Sequence, residues 1–478
     1  MKLRQLLAGV DVLSATADMD MEISGVVCDS RKVQPGDLFV AVVGYATDGN
    51  RYIPMAREKG AKVVVSAMPA NGEDAYVQVK SDRQALARIG ANFYGHPTKK
   101  MTMIGVTGTN GKTSATLLLK HVLKTVLGEK VGLVGTMENH IGDLVLPAER
   151  TTPESLELQG LFAKMQEAGC TYAVMEVSSH AIALDRIEGI HYDVCAFTNL
   201  TEDHLDFHKT MEAYGAEKAK LFTRCNKAVI NADDEYASVM MAAATCPVLT
   251  TAQEKDACLR AENAELRADG VSFTAVYGEE KAQVSLPIPG KFTVYNALSV
   301  LGIALQLGLP LQASAKALAT AKGVKGRVEV VPTPNKPYTI LIDYAHTPDG
   351  LYNVLSSVKG YCKGRLIALF GCGGDRDPMK RPIMGKIGTD IADIAILTSD
   401  NPRTEDPAAI LQDVLKGVDP AKTNYVVIEN RPKAIQYAMD IGQKNDIIVL
   451  AGKGHETYQE ICGVKYPMDE RDIVQAYL

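Results

Sequence analysis

The chain has 478 residues, with 51 Lys and Arg against 57 Asp and Glu, a formal net charge of −6 and 46% hydrophobic residues. That is ordinary globular material for about three domains, and it excludes a global basic field for nucleic acid, so any phosphate binding must be local. Nine cysteines without a Cys-x-x-Cys pair argue against a disulfide framework or structural zinc and for a reducing cytoplasm, and no apolar run has the length of a signal peptide or a membrane span.

Up to about residue 100 the chain reads as a small mixed domain with short strand-like runs at 37–43 and 61–65. Turn residues at 94–98 close it. An apolar strand from Met103 then runs into Gly108-Thr109-Asn110-Gly111-Lys112-Thr113-Ser114, followed by a helix over 114–124. Glycines let backbone N–H groups approach a triphosphate, Lys112 can reach its terminal phosphates, and Thr113 can hold Mg²⁺. A strict Walker loop has glycine where Val106 stands, so this is a variant of it. Apolar strands at 131–135, 172–176, 194–198 and 228–231 alternate with helical patterns, the βαβ signature of a parallel sheet. The polar stretch 250–280 reads as inserted hairpins, and helix returns at 296–307. Strands at 339–343, 366–370, 394–397, 426–428 and 447–450 repeat the rhythm as a Rossmann-like, doubly wound domain. The glycine turn 371–376 lacks the dinucleotide spacing.

The expected fold is therefore α/β with three domains: a small mixed N-terminal domain (1–100), a central P-loop parallel-sheet ATPase domain (101–328) and the C-terminal domain (329–478). Glu176 and the segment 198–208, which contains His204, fall at carboxyl ends of strands, where open α/β sheets place ligands. Together they could hold Mg²⁺ beside the loop. Lys218, in a helical run over 211–222, reads from composition alone as a solvated surface lysine.

Five motifs in order, Gly108–Thr113, Glu176-Val-Ser178-Ser-His180, Thr198 to Asp206, Gly326-Arg327-Val-Glu329 and Asp343-Tyr-Ala-His-Thr-Pro348, resemble those of the Mur ligases. These are ATP-dependent amide ligases of bacterial peptidoglycan synthesis. The resemblance covers nearly the whole chain. Asp29-Ser30-Arg31 with 35–41 resembles the uridine-nucleotide domain of the third ligase of that series, whose substrate is UDP-N-acetylmuramoyl-L-alanyl-D-glutamate. It implies that Ser30, Tyr45, Ala46 and Thr47 line the uridine site and that Thr151, Thr152, Ser178 and Arg186 contact the muramoyl peptide. Thr113 with Glu176 would hold one Mg²⁺, and Glu176 with His204 a second. Asn296, Arg327 and Asp343 would hold ATP. Lys218 matches a lysine that CO₂ carbamylates, turning a cation that would repel Mg²⁺ into an anion that binds it. Arg150, Leu184 and Thr293 depart from the family's usual Asn, Gln and Asn.

ATP is needed because a carboxylate does not react with an amine at neutral pH. The implied path runs through an acyl phosphate, with Lys112 and Mg²⁺ offsetting the charge of the reactants and domains closing to exclude water. Asp400-Asn401-Pro402-Arg403 resembles the motif of enzymes that add meso-diaminopimelate, and a bidentate arginine suits that amino acid's second carboxylate. Arg376, Gly452 and Glu456 match further positions of the amino-acid site. The expectation is a cytoplasmic, monomeric ligase without membrane or nucleic-acid partners. L-Lysine as the amino acid, and a nucleotide switch without ligase activity, remain the alternatives at this point.

Overall fold

The computed structural model describes residues 1–44, 47–70, 72 and 74–478. The chain divides into two compact units, Met1–Arg260 with Asn296–Ser314, and Ala261–Tyr295 with Ala315–Leu478.

The first unit begins with a five-stranded sheet in the order Val12–Ala15, Tyr76–Val79, Val63–Ser66, Leu38–Val40, Val26–Val27, parallel except for its first strand. The strand expected at 37–43 stops at Val40 because the backbone turns away: Val43 N–H donates to the Asp82 carboxylate (2.9 Å) instead of to the ladder. The larger sheet of this unit has Thr102–Thr107 at its centre, flanked in parallel by Tyr172–Glu176 and Tyr192–Phe197. Val131–Val134 continues one side, and Cys225–Asn231 with Val248–Ala252 the other. Thr102–Thr107 is buried on both faces, which explains its unbroken apolar sequence. Met103, Met175, Phe197 and Ile230 form part of one core layer against the helix Ser155–Glu167, with Phe162 and Met165. An antiparallel pair, Glu138–Ile141 and Leu144–Pro147, extends the Val131–Val134 edge. Those short, polar-flanked strands escaped the sequence reading.

In the second unit the parallel strands run Thr339–Asp343, Ile447–Ala451, Leu366–Phe370, Ile394–Leu397, Tyr425–Val427, with Glu329–Val331 antiparallel at one edge. The last parallel strand inserts between the first and the second, so the order reverses there, and ligand crevices form at such switch points. Leu341, Ala368 and Val449 face one core, while Ile342, Leu369 and Leu450 face another, as a sheet covered on both sides requires. Of the stretch 250–280 expected to form hairpins, Thr250–Ala252 instead ends the parallel strand Val248–Ala252, while the part after residue 258 forms long strands that include the hairpin Gly270–Tyr277 with Glu280–Leu286. A second hairpin, Tyr458–Ile461 with Val464–Pro467, carries part of the site described below.

Below this sheet Arg431 and Glu470 are fully buried and bonded to each other, Nε to Oε1 at 2.8 Å, and Arg431 also donates to the Ala451 carbonyl (2.8 Å). Removing one partner of a buried pair leaves an uncompensated charge, so Glu470→Ala should cost about 3–5 kcal/mol. A clear fall in the urea midpoint of the transition that reports on this unit is the expected result; an unchanged midpoint would show that water reaches Arg431.

Candidate active site

The loop after the central strand is shaped by two glycines. Gly108 has φ +148° and a Cβ there would come 1.9 Å from Thr198 Oγ1; Gly111 has φ +85° and would meet Asn296 Oδ1 at 2.4 Å. Both positions therefore demand glycine. The helix Lys112–Leu127 starts directly after Gly111, so its first N–H groups, with Thr113 and Ser114 in the first turn, face the loop with the positive end of the helix dipole.

The neighbouring strand end pins this loop. Thr198 Oγ1 donates to the Asn110 carbonyl (2.7 Å), Asn199 Oδ1 accepts from Asn110 N (2.9 Å), and the Asn199 carbonyl accepts from Thr109 N (2.8 Å). Thr201 N donates to Thr109 Oγ1 (3.1 Å). The Thr-Asn-Leu-Thr run, singled out for its place near a metal, thus also serves to fix the phosphate loop.

Glu176, at the end of its strand, is buried and held from three directions. Thr113 Oγ1 donates to Oε2 (3.0 Å), Thr136 Oγ1 to the same oxygen (2.9 Å), and Thr136 N to Oε1 (2.8 Å). Thr136 has no local sequence signal and was missed. A hydroxyl and a carboxylate converging at the first turn of a helix form an oxygen donor set suited to Mg²⁺. Among the described residues no group of three His, Cys, Asp or Glu side chains converges on a point that could hold a metal.

Lys218 is where the composition reading fails. It is 1% exposed, on the helix Met211–Ala219, and its Nζ donates to the Gly108 carbonyl at 2.9 Å while lying 4.6 Å from the Tyr214 ring centroid. Lys112 Nζ bonds that same carbonyl at 2.9 Å and the Thr109 carbonyl at 2.7 Å. Burial, with the charge of Lys112 added, pushes the Lys218 amine well below the ordinary lysine range. His204 lies close by, its ring 4.7 Å from His180 and 6.1 Å from Tyr214. Burial lowers His204, helped by Lys112 and Lys218 and opposed by Asp203, while His180 and His208 are lowered chiefly by burial. These imidazoles are thus neutral at neutral pH and present lone pairs.

Beside Glu176, Thr152 Oγ1 donates to the Glu176 carbonyl (2.8 Å), Thr151 Oγ1 is 3.1 Å from Thr136 Oγ1, to which it donates since the Thr136 proton goes to Glu176, and Ser178 caps the short helix Ser179–Ala183. Arg186 donates to the Thr152 carbonyl (3.0 Å) and pairs with Glu154 (2.8 Å), burial lowering its guanidinium. In the N-terminal sheet region Ser30 is buried against Met55 and Thr47 is exposed; Tyr45 and Ala46 lie outside the described residues.

The second unit gathers the remaining candidates at its switch point. Asp343 is buried, raised by that burial, and accepts from Val328 N and Ala345 N, both at 2.8 Å; Arg327 stacks over Tyr344 at 5.3 Å. Gly452 N donates to the Asp343 carbonyl (3.0 Å). Asn401 gives Nδ2 to Glu456 Oε2 (2.9 Å) and accepts Lys453 Nζ on Oδ1 (3.0 Å), and Lys453 closes the triangle on Glu456 (2.9 Å). Lys453 is fully buried, and its place in a Gly-Lys-Gly run disguised it as loop. After Pro402, Arg403 donates to the Gly374 carbonyl (2.7 Å) and faces Glu460 at 3.4 Å, while Arg376 is exposed nearby in chain terms, bonded to the Asp375 carbonyl (3.1 Å). Asp400 Oδ2 and Arg431 Nη1 are buried, 3.9 Å apart, and neither has a hydrogen-bond partner among the described residues.

The Mur ligase family catalytic domain matches residues 22–94, the Mur ligase middle domain 106–304, and the Mur ligase glutamate ligase domain 326–454. A protein of Clostridium botulinum named UDP-N-acetylmuramoyl-L-alanyl-D-glutamate--2,6-diaminopimelate ligase is 47% identical over 460 residues, 95% of each chain. One of the same name from Caldanaerobacter subterraneus is 47% identical over 481 residues, 100% of this chain and 99% of its own. A solved structure of an enzyme of that name superposes with TM-score 0.76 at 32% identity, covering 100% of this chain and 98% of its own. A MurF ligase of Thermotoga maritima in complex with ADP shares the fold at 19% identity, TM-score 0.61, over 91% and 96% of the two chains. By sequence along its full length and by fold, the chain belongs to the Mur ligase family.

Proposed function

We propose that the protein joins meso-diaminopimelate to UDP-N-acetylmuramoyl-L-alanyl-D-glutamate at the expense of ATP, a step of peptidoglycan precursor synthesis. The observation that carries it is the full-length likeness, at 47% identity, to ligases named for these two substrates. The working regions are residues 1–100 for the uridine nucleotide, 101–328 for ATP and 329–478 for the amino acid. ATP and a nucleotide-linked precursor as substrates favour a cytoplasmic location, and no helix is long and apolar enough to cross a membrane among the described residues.

Bound ATP and Mg²⁺ would supply an activating phosphoryl group and the positive charge that lets it meet a carboxylate. The chain's own groups do the rest. Loop N–H groups 108–114 bind and orient the phosphates, Lys112 neutralises them, and Thr113 with Glu176, His204 and Lys218 hold the metal. Asn296, Arg327 and Asp343 hold the remainder of the nucleotide. Ser30, Tyr45, Ala46 and Thr47 hold uridine, and Thr151, Thr152, Ser178 and Arg186 orient the peptide so that its terminal carboxylate meets the phosphoryl group. Burial favours the uncharged Lys218 amine, the form that adds CO₂, and the resulting carbamate would provide an anionic ligand for Mg²⁺.

For the incoming amino acid, Glu456, held by Lys453 and Asn401, receives the ammonium, and Arg403 with Arg376 receives the distal carboxylate. L-Lysine lacks that carboxylate. A charged hydrogen bond contributes roughly 1.5–3 kcal/mol, or about 10- to 100-fold in binding. In an assay of phosphate release with ATP, Mg²⁺ and the nucleotide dipeptide, diaminopimelate should therefore stimulate turnover and L-lysine should not. Arg403→Ala should raise KM for diaminopimelate by about 10- to 100-fold; equal use of both amino acids by the wild type would remove the assignment, and phosphate release independent of either would indicate a nucleotide switch.

Loss of the Lys218 ligand should lower kcat by about 10²- to 10³-fold, the usual effect of deleting one group that stabilises developing charge. Lys218→Ala with partial rescue by short carboxylic acids is the expected result, since these restore an anion. Acidification acts in the same direction as the substitution, because it returns the amine to the ammonium form that cannot add CO₂. Full activity in Lys218→Ala would remove the carbamate from the account.

A further inference from the structure

A second arrangement of base and amine lies on the far half of the helix Lys112–Leu127, two turns beyond the phosphate loop. Lys120 Nζ is hydrogen-bonded to His140 Nδ1, and it also donates to the Gly142 carbonyl at 2.8 Å. The other ring nitrogen of His140 is 2.7 Å from Glu138 Oε1. A carboxylate only accepts, so Nε2 carries the ring proton and Nδ1 turns its lone pair to the lysine. His140 is buried and Lys120 half-buried at the seam between the helix and the strand pair Glu138–Ile141 and Leu144–Pro147. Carboxylate, imidazole and nucleophile in a row is the arrangement by which a base activates an otherwise protonated group.

We propose that Lys120 is a site of covalent acylation by small acyl phosphates, with His140 as the base and Glu138 orienting it. The amine nitrogen attacks the acyl carbon, the C–O bond to phosphorus's oxygen breaks, inorganic phosphate leaves with the bonding pair, and the amine proton passes to His140 Nδ1 and on to solvent. The product amide keeps one N–H, which can serve His140 or the Gly142 carbonyl but not both, so the seam between helix and hairpin loses a bond.

Burial of the amine favours this chemistry. Burial lowers Lys120 from the ordinary value of 10.5 to about 8, with Lys124 on the same helix adding to it and Asp143, Cys170 and Glu138 opposing it. His140 is itself lowered, first by burial and then by Lys120, so it remains an uncharged base. At pH 8 about half of Lys120 is uncharged, against about 0.3% of an ordinary lysine. A less basic amine is intrinsically a weaker nucleophile, which reduces that advantage to about tenfold.

Lys124, one turn on, provides the comparison within the same molecule: it is exposed and paired with Asp143 at 2.6 Å. The full chain is incubated with acetyl phosphate at pH 8 and the occupancy of both lysines is followed by peptide mass spectrometry. Lys120 should be acetylated more than about 100-fold faster than Lys124, about tenfold of it from lowered basicity and the rest from the base, and the difference should vanish in urea-unfolded protein. His140→Gln, which removes the base but keeps the burial, should reduce the advantage to about tenfold without changing Lys124. Equal rates in the folded wild type would overturn the proposal, as would an advantage in His140→Gln as large as in the wild type. The wild-type comparison stands by itself if that variant does not fold.

Discussion

Two lysine amines share one backbone carbonyl, and much of the first unit exists to make that possible. Lys112 and Lys218 both bond the Gly108 oxygen, so their nitrogens lie within two hydrogen-bond lengths of each other. Two ammonium ions at that range repel by about 3 kcal/mol at an effective dielectric of about 20, which is more than the free energy of a tenfold shift in protonation. Burial acts with this repulsion on the more buried amine, Lys218, and both favour its uncharged form.

The fold supplies what this constraint needs. Parallel strands end together, so Gly108, Glu176 and Thr198 arrive at one rim from the three neighbouring strands 102–107, 172–176 and 192–197. Thr198, Asn199 and Thr201 then consume the polar groups of the loop that do not point to ligand, and Thr136 with Thr113 does the same for Glu176. In the second unit the buried Lys453 pairs with Glu456, and Asn401 bridges the two, so opposite charges are fixed together at the end of the sheet.

The buried parallel strands and the loop were legible in the sequence because they follow local rules. A buried parallel strand must be apolar throughout, and the Gly108 and Gly111 conformations admit no other residue. Lys218 was legible only through likeness to a family. Its own helix, Met-Glu-Ala-Tyr-Gly-Ala-Glu-Lys, is polar enough for a solvated face, and its burial results from packing under a loop 110 residues away in sequence. Thr136 and Lys453 were missed for the same reason, since each acts on a partner brought near by the fold rather than by the chain. The hairpin Glu138–Pro147 was missed because four-residue strands at an edge leave little periodicity, and the Lys120–His140–Glu138 row depends on that hairpin.

The central claim, that burial beside Lys112 favours the uncharged form of Lys218 and so its uptake of CO₂, is tested most directly by ¹³C NMR of the full protein equilibrated with ¹³C-bicarbonate. The account predicts a protein-bound carbamate resonance near neutral pH that is absent from Lys218→Ala and fades on acidification. A spectrum in which Lys218→Ala retains every protein-bound resonance of the wild type would contradict it.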